Sequence, residues 1–543
     1  MSIVREVHCR RALEDIAAHG DNDVLPFDID NRFFKDAIEE ISLLLSNFVL
    51  GMERKQPKDA QKTLKGLDFY SERLLSPAGY SGFRVTTKIH PFWNAYLNAL
   101  AIGLAEIHEP RRSSQAYSYR FAKDGDTLFD KTSSWRAFRE ATINDCNEHS
   151  PNGVVVQTDI SSFYEHVYHH RLENFVADLV PSGSNLPKQI DGILRKLANG
   201  RSFGIPVGGQ GARILAEILL ASVDRSLDRN SIRWHRFVDD FVLIAENKRD
   251  AYRILGVLAS ALSNLGLSLN RSKTSILSTK HYSDYTNLQL HGAQGDEQRL
   301  REIDLHFDPY SDKPDEDYEQ LKGTISQIDV SMIIGSEQRK AQPDRFVVSQ
   351  VSRALRLLDP DQALATCMTL LSENNLHAFR ASWSTIMRGV GAVRNDKSHH
   401  STHERLDEHI DEVMDHSKHL LSIDTNALHF LRLLRFKQSG RRSKFLVDLY
   451  NSSKRITVRR ACMDCWRRWK DREQFLEHRN NWNSLHVEEQ RMFWLASKDF
   501  GDDGEHFRKQ VGGTLEKNWA LGFETRKFIS FAKTYIEWAR DVS

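Results

Sequence analysis

The sequence predicts an α+β protein in which a block of mixed strands and helices lies between two helical regions. Through residues 1–150, apolar residues recur at three- and four-residue spacing, the period of an amphipathic helix. Strands are indicated by the β-branched run VVVQTDI at 154–160 and by IRWHRFV and FVLIAE, which flank an Asp-Asp pair. From about residue 346 to the end, helical periodicity returns without a strand signal.

Composition divides the chain further into four regions. We expect a helical N-terminal region at 1–150, the α+β block at 151–290 and an acidic linker or insertion at 291–345. The linker is predicted because residues 291–319 contain ten acidic and three basic side chains, with Gly and Pro interspersed. Residues 346–543 are predicted to form an all-helical domain of paired helices, a HEAT-like solenoid without a strict repeat period.

The overall charge is nearly balanced, with 75 Lys and Arg against 74 Asp and Glu. This balance excludes a uniformly basic coat for nucleic acid, although it permits local segregation of charge. Five cysteines in 543 residues do not suggest a disulfide framework, which favours a reducing compartment. The sequence has no run of 18 apolar residues and no apolar signal core near residue 1, so we expect a cytoplasmic protein without a membrane partner.

One segment concentrates positive charge. Residues 431–472 contain fourteen Lys or Arg against three Asp, together with Trp466 and Trp469. Aromatic residues among clustered arginines are typical of surfaces that bind single-stranded nucleic acid, and a solvated helix face is an equal alternative. The predicted nucleic-acid-binding residues are Arg459, Arg460, Trp466, Arg467 and Arg468.

Three aspartates form the candidate catalytic set. Asp159 ends the predicted strand at 154–160, and Asp239 and Asp240 form the tight turn between two further strands. Carboxylates brought together repel one another unless a cation neutralises them, and such hard oxygen ligands suit Mg²⁺. Two such ions can activate an attacking hydroxyl and stabilise a leaving pyrophosphate. Each piece alone has a simpler interpretation, since an Asp-Asp pair is commonly a plain turn and Asp159 could cap a helix.

Four sequence blocks in order resemble the reverse transcriptases. FVDD at 237–240 is similar to the YxDD motif of that family, and Asp159 in TDISSFY is similar to its first catalytic aspartate. GIPVGGQGARILAEILL at 204–220 resembles the third conserved block, and LGLSLNRSKTSIL at 265–277 resembles the block that ends in Lys-Thr. The resemblance covers roughly residues 80–280 and implies the fingers and palm of a right-hand polymerase.

The resemblance implies a role for each matching residue. Asp159, Asp239 and Asp240 would be catalytic and would bind the metal ions together with the carbonyl of Ile160. Tyr164 would block a ribose 2′-hydroxyl and so select dNTPs, with core packing as the alternative. Arg120 would grip phosphates, with a surface salt bridge as an equal alternative. The remaining substrate-binding residues would be Gly208 and Lys273.

The sequence of the third block resembles one subgroup of the reverse transcriptases. Ile205-Pro206-Val207-Gly208 followed by Arg213, Ala216 and Glu217 is similar to the bacterial abortive-infection and defence-associated reverse transcriptases. This implies an RNA-directed DNA polymerase in anti-phage defence, using dNTPs and two Mg²⁺, or Mn²⁺. RNA and DNA would be its partners, and a dedicated non-coding RNA and a homo-oligomer stay open.

Two alternatives to this activity follow from the same residues. Val207 stands where many reverse transcriptases have Gln, which leaves the templating contacts there open. The resemblance to defence relatives, some of which polymerise without a template or prime from a side chain, makes template-independent or protein-primed DNA synthesis an alternative. A nucleic-acid-binding scaffold without catalysis is the second alternative, although binding alone would not require three clustered acids.

A second, shorter resemblance lies in the helical region. Arg394 and His399 stand in the R-N-x-x-x-H spacing of HEPN ribonucleases, and a basic helix is the alternative interpretation.

Overall fold

The structure is a computed structural model that describes residues 2–20, 27–125, 127–130, 132–291, 295–303, 321–524 and 529–542. By their contacts these residues form two compact units. The first unit comprises residues 1–71, 87–290 and 519–543, and the second comprises 72–86 and 291–518. The chain therefore crosses from one unit to the other after residues 71, 86, 290 and 518. The four regions expected from composition, in contrast, follow one another along the sequence. Most of the acidic segment expected at 291–319 lies outside the described residues.

The first unit contains a four-stranded antiparallel sheet, formed by β3 (Val154–Asp159), β4 (Arg233–Phe237), β5 (Asp240–Ala245) and β6 (Ser275–Ser278). The strands lie in the order β4-β5-β3-β6. The central strand β3 is buried along most of its length, which explains its continuous β-branched sequence instead of an alternating one. Val155, Val242 and Ile244 of the sheet pack with Phe138 and Tyr282 in one core.

Helices surround this sheet. Pro91–His108 is buried on nearly every side, as its apolar sequence predicts for a helix in a core. The helices of the first unit are Glu6–His19, Asp28–Asp36, Ile38–Glu53, Pro57–Gly66, Pro91–His108, Trp135–His149, Phe163–His166, His169–Leu179, Leu186–Leu197, Gln210–Arg229, Lys248–Ser263, Thr279–His291 and Phe531–Asp541, with a 3₁₀ turn at Glu109–Arg111. The mixed helix and sheet composition predicted for this part is confirmed.

The helix Phe531–Asp541 belongs to the first unit although it follows the second in sequence. The Phe33 ring lies 5.5 Å from that of Phe531, 5.0 Å from Tyr535 and 5.1 Å from Trp538. The Trp538 indole Nε1 also donates a hydrogen bond of 2.9 Å to Asp36. An aromatic cluster therefore packs the helix Phe531–Asp541 against the N-terminal helices.

The described residues of the second unit are helical apart from a hairpin of β1 (Ser71–Ala78) and β2 (Gly82–Ile89), whose residues 72–86 belong to this unit. The helical region predicted from about 346 is confirmed for the described residues up to 518. The helices of this unit are Asp296–Glu302, Val330–Gln338, Arg345–Ala354, Pro360–Leu371, Glu373–Ala378, Trp383–Asn395, His403–His416, Lys418–Leu421, Asp424–Leu434, Gly440–Ser452, Ile456–Trp469, Arg472–Asn480, Val487–Ala496 and Gly501–Asn518. Short 3₁₀ turns lie at Leu355–Leu357, Arg380–Ser382, Lys397–Thr402, Trp482–Ser484 and Ser497–Phe500.

Five of these helices form one layer, which we call the first layer, because each contacts the next in succession. They are Arg345–Ala354, Trp383–Asn395, Asp424–Leu434, Ile456–Trp469 and Val487–Ala496. Among the described residues, no helix is both long enough and apolar enough to cross a lipid bilayer.

Candidate active site

The sheet brings the three predicted aspartates together at one end. In the antiparallel register of β3 and β5, Asp159 is directly opposite Asp240. Asp239 precedes Asp240 in the turn between β4 and β5, and its carbonyl oxygen accepts a 3.2 Å hydrogen bond from the Ile160 N–H. Opposed residues of an antiparallel pair have Cβ atoms about 5 Å apart. The sheet therefore concentrates three carboxylates, with the Ile160 backbone beside them.

Electrostatic repulsion is evident within this cluster. Burial and the neighbouring Asp240 raise the pKa of Asp239 to about 6, and Asp159 adds to the effect. Burial also raises the pKa of Asp240, against the opposing influence of Arg139. Asp159 is only 5% exposed, and its Oδ1 has no hydrogen-bond partner among the residues that the structure describes. The cluster holds more negative charge than its surroundings neutralise.

Lys273 is the predicted triphosphate ligand, and it lies at this cluster. Its Nζ donates a hydrogen bond of 2.5 Å to Asp159 Oδ2, and this bond raises the pKa of the lysine. The Lys273 side chain is 65% exposed, so it can exchange this partner for one from solution.

The turn that carries Asp239 has an unusual backbone. Val238 has φ 56°, in the left-handed region that a β-branched residue rarely adopts. Two hydrogen bonds hold it there: its N–H donates to Ser118 Oγ at 2.8 Å, and its carbonyl oxygen accepts from Arg236 Nη1 at 3.0 Å. The surroundings therefore impose the conformation that positions the Asp-Asp pair.

A buried ionic network holds Ser118 and Arg236, the two hydrogen-bond partners of Val238. Glu217 accepts hydrogen bonds from Ser118 Oγ at 2.6 Å, Arg112 Nη2 at 2.6 Å and Arg236 Nη1 at 3.1 Å. Arg236, which is fully buried, also donates to both carboxylate oxygens of Asp224 at 2.9 and 2.7 Å. Burial alone would raise the pKa of Glu217, but Arg236 and Arg112 bring it below its usual value. The carboxylate is therefore ionised and holds the turn through Ser118 and Arg236.

Only part of this network could be predicted from the sequence. Glu217 belongs to the third conserved block, but its partners Ser118 and Arg112 are about a hundred residues away and carry no local signature. The available signal was an acid inside an otherwise apolar helical run, which requires a buried partner.

Tyr164 lies near the aspartates, as its predicted role requires. Its neighbour Phe163 is buried, whereas Tyr164 is half-buried. Burial raises the pKa of Tyr164 well above its usual value, with further contributions from Tyr119 and Asp239. Of the adjacent aromatic pair, Phe163 therefore supplies the core contact.

Replacing Tyr164 by Ala should admit ribonucleotides, because the ring that would collide with a ribose 2′-hydroxyl is removed. We expect the ratio of dNTP to rNTP incorporation to fall by at least about tenfold, which corresponds to roughly 1.4 kcal/mol of lost discrimination. The measurement is single-nucleotide incorporation with each substrate. Tyr168→Ala, which removes an exposed aromatic ring just before the helix His169–Leu179, is the control. Unchanged discrimination in the Tyr164 variant would assign the ring to packing alone.

Arg120 and Gly208 occupy different environments. Arg120 Nε pairs with Glu109 at 3.2 Å and its Nη1 donates to the Ser113 carbonyl at 3.1 Å, so the structure places it in the salt bridge considered as the alternative. Gly208 has φ 132° and precedes the helix Gln210–Arg229. Next to it, a Cβ on Gly209 would lie 2.8 Å from Asn94 Oδ1, so this glycine turn permits a close approach to the helix Pro91–His108.

The predicted nucleic-acid-binding set is corrected at Arg460 and Trp466. Arg460 is 3% exposed and pairs with Glu488, and Trp466 is 4% exposed. A buried side chain can neither stack on a base nor reach a phosphate, so these two residues serve the core. The other three are paired: Arg459 with Glu489 at 2.9 Å, and Arg467 and Arg468 with Asp464 at 2.7 and 3.5 Å.

Arg394 and His399 contact different residues in the structure. Arg394 donates to both carboxylate oxygens of Asp407 at 3.1 Å. His399 is buried, and its Nε2 lies 3.1 Å from the Arg356 carbonyl oxygen. These contacts support a structural role for the R-N-x-x-x-H segment.

Residues 102–296 match the family model described as reverse transcriptase (RNA-dependent DNA polymerase). This range contains the sheet, the three aspartates, Tyr164, Gly208 and Lys273. The chain therefore contains a reverse transcriptase domain. It is an enzyme of the RNA-directed DNA polymerase class, a nucleotidyltransferase.

Solved telomerase structures are similar over part of the chain. Telomerase from Candida albicans in complex with a TWJ fragment of telomeric RNA has 10% identity and a TM-score of 0.30, covering 64% of this chain and 67% of that chain. Apo telomerase from Candida tropicalis has 10% identity and a TM-score of 0.29, covering 74% and 70%. Its C-terminally truncated form has 13% identity and a TM-score of 0.27, covering 42% and 55%. No match was found among curated proteins.

Proposed function

We propose that the enzyme synthesises DNA by two-metal catalysis at Asp159, Asp239 and Asp240, with the Ile160 carbonyl as a further ligand. The observation that carries this proposal is the excess negative charge of the cluster. A buried carboxylate oxygen of Asp159 lacks a hydrogen-bond partner among the described residues, and burial together with repulsion from neighbouring carboxylates raises the pKa of Asp239 and Asp240. A hard divalent cation satisfies both demands.

The donor set fits a metal that arrives with its substrate. Among the described residues, no group of three or more His, Cys, Asp or Glu side chains is arranged to hold an ion by itself. Mg²⁺ characteristically binds one or two carboxylates and takes substrate phosphate oxygens for the rest of its shell. When bound, Mg²⁺ or Mn²⁺ would activate the primer 3′-hydroxyl and stabilise the leaving pyrophosphate.

The protein's own residues then have distinct tasks. Asp159 is fixed by the central strand and Asp239 by the strained turn, so both carboxylates are oriented before substrate binds. Lys273 neutralises Asp159 in the free enzyme, and a triphosphate would offer the exposed ammonium a second anionic partner. Tyr164 would border the sugar, and the glycine turn at Gly208 would leave room for the incoming nucleotide. Arg120 would reach a phosphate only by releasing Glu109.

We further propose that the enzyme belongs to the bacterial defence-associated type and acts against phage in the cytoplasm. The support is the third block, with Arg213, Ala216 and Glu217, combined with a helical second unit. The succession of contacts in the first layer supports a solenoid of the HEAT-like kind. A dedicated non-coding RNA and a homo-oligomer remain part of this proposal.

The proposal is tested by supplying an RNA template, a DNA primer and dNTPs, then sequencing the product. We expect the product to be complementary to the template and its synthesis to stop on chelation of divalent cations. An RNA of scrambled sequence serves as the matched control for templating. Product that does not follow the template, or DNA found covalently attached to the protein, would replace this proposal by template-independent or protein-primed synthesis.

A further inference from the structure

Three consecutive helices of the first layer carry almost no acidic residues. Arg345–Ala354 and Trp383–Asn395 contain no Asp or Glu, and Asp424–Leu434 contains one, at its first position. That aspartate accepts a 2.8 Å hydrogen bond from the Leu75 N–H. The three helices carry Arg353, Arg388 and Arg432. Together they add positive charge to three neighbouring helices of a chain whose total charge is nearly zero.

Two glycines bring the three helices into close contact. A Cβ on Gly389 would lie 2.0 Å from the Ser352 carbonyl oxygen, so only glycine permits this approach. A Cβ on Gly391 would lie 3.1 Å from Leu433 Cδ2 on the other side. Arg353, Arg388 and Arg432 are each adjacent in sequence to a residue of these contacts. The close packing therefore holds the arginines near one another.

The electrostatics agree with this geometry. Burial lowers the pKa of Arg388, and the charged groups that lower it further are Arg353 and Arg432. Burial, Arg388 and Arg432 also lower the pKa of His429, which precedes Arg432 by three residues, to about 3. Part of the Arg388 side chain nevertheless reaches solvent, and its Nε donates a 3.3 Å hydrogen bond to the Ser384 carbonyl oxygen. Like charges held close together destabilise a fold, and an anionic ligand would offset this cost.

We propose that this arginine ladder, formed by Arg353, Arg388 and Arg432, binds the phosphate backbone of a single-stranded nucleic acid. Neighbouring packed helices are about 8–10 Å apart, so three of them span roughly 20 Å. A single phosphate would reach one or two of these arginines, whereas an extended strand presents successive phosphates along the whole ladder. The planar guanidinium groups suit phosphate oxygens because they can donate two parallel hydrogen bonds. The site is separate from the polymerase residues and does not include the five residues predicted from the sequence.

The test is binding of a fluorescein-labelled 20-nucleotide oligo(U), and separately oligo(dT), to the full-length protein across a salt series. The ladder variant replaces Arg353, Arg388 and Arg432 by Gln. A matched control replaces three other arginines by Gln: Arg405, Arg441 and Arg472. These are exposed and lie on other helices of the second unit. Both variants lose the same charge. Each released phosphate contact changes the logarithmic salt slope by about 0.7, so the ladder variant should lose roughly 2 units and the control much less.

Measuring the melting temperature distinguishes a loss of binding from a loss of folding. Because Arg388 is repelled by its neighbours, Arg388→Gln should bind more weakly than the wild type while its melting temperature stays equal or rises. Arg388→Lys, which retains the charge, should recover most of the affinity. An unchanged salt slope in the ladder variant, an equal loss in the control, or stronger competition by polyglutamate than by unlabelled oligonucleotide would each overturn the proposal.

Discussion

Replacing Asp239 by Asn should abolish dNTP incorporation while the protein stays folded. The substitution preserves the size of the side chain but removes one negative charge from the cluster that would bind the metal ions. Metal coordination of this kind is worth several kcal/mol in the transition state, so we expect a loss of at least about a thousandfold. Asp178→Asn, at an exposed carboxylate of the first unit, is the control. Full activity in a folded Asp239→Asn protein would refute the assignment of the catalytic residues.

The Asp239→Asn variant should gain stability although it loses activity. Because the pKa of Asp239 is raised to about 6, the folded state favours its protonated form. The resulting contribution to stability is complete below the ordinary aspartate pKa and is lost as pH rises through about 6. Asn resembles the protonated form, so the variant should be more stable than the wild type above pH 6, by up to about 3 kcal/mol without divalent cations. Denaturant unfolding at pH 5 and pH 8 measures this difference, which should be roughly half as large at the lower pH.

Replacing Glu217 by Ala should cause a large loss of stability, of about 3–5 kcal/mol. The change leaves the guanidinium groups of Arg112 and Arg236 buried without one of their carboxylates, and breaking a buried ion pair from one side costs this much. Denaturant unfolding of the full chain is the measurement. Glu109→Gln is the control, because Glu109 also pairs with Arg112 but is more exposed and should cost under about 1 kcal/mol. Equal, small losses in both variants would show that Glu217 does not support the turn.

The sheet and its carboxylates could be predicted because the information is local. Asp239 and Asp240 lie in a short turn between two strands, and such a turn fixes how the strands pair. Asp159 ends a buried strand, and only the sheet order β5-β3 was needed to bring it opposite Asp240. The sequence motifs supplied the identity of these residues, and the antiparallel register supplied their proximity.

The basic segment could not be interpreted from sequence because burial depends on partners far along the chain. Arg460 and Trp466 lie on a helix with basic and aromatic residues on several sides, so periodicity alone does not select the inward face. That choice follows from the helix Val487–Ala496, whose Glu488 and Glu489 pair with Arg460 and Arg459. Conversely, the arginine ladder joins residues from three separate segments, each unremarkable in its own sequence context.

The return of Phe531–Asp541 to the first unit has a consequence for how the protein is made. During synthesis, residues 1–290 leave the ribosome before the helices of the second unit, yet the aromatic surface around Phe33 lacks its covering until the helix Phe531–Asp541 emerges. The polymerase part is thus completed only after the second unit has been translated. An early stop anywhere in the second unit would release a chain that carries all three aspartates but exposes the Phe33 surface to chaperones and proteases, so the survival of the catalytic part depends on translation through the second unit.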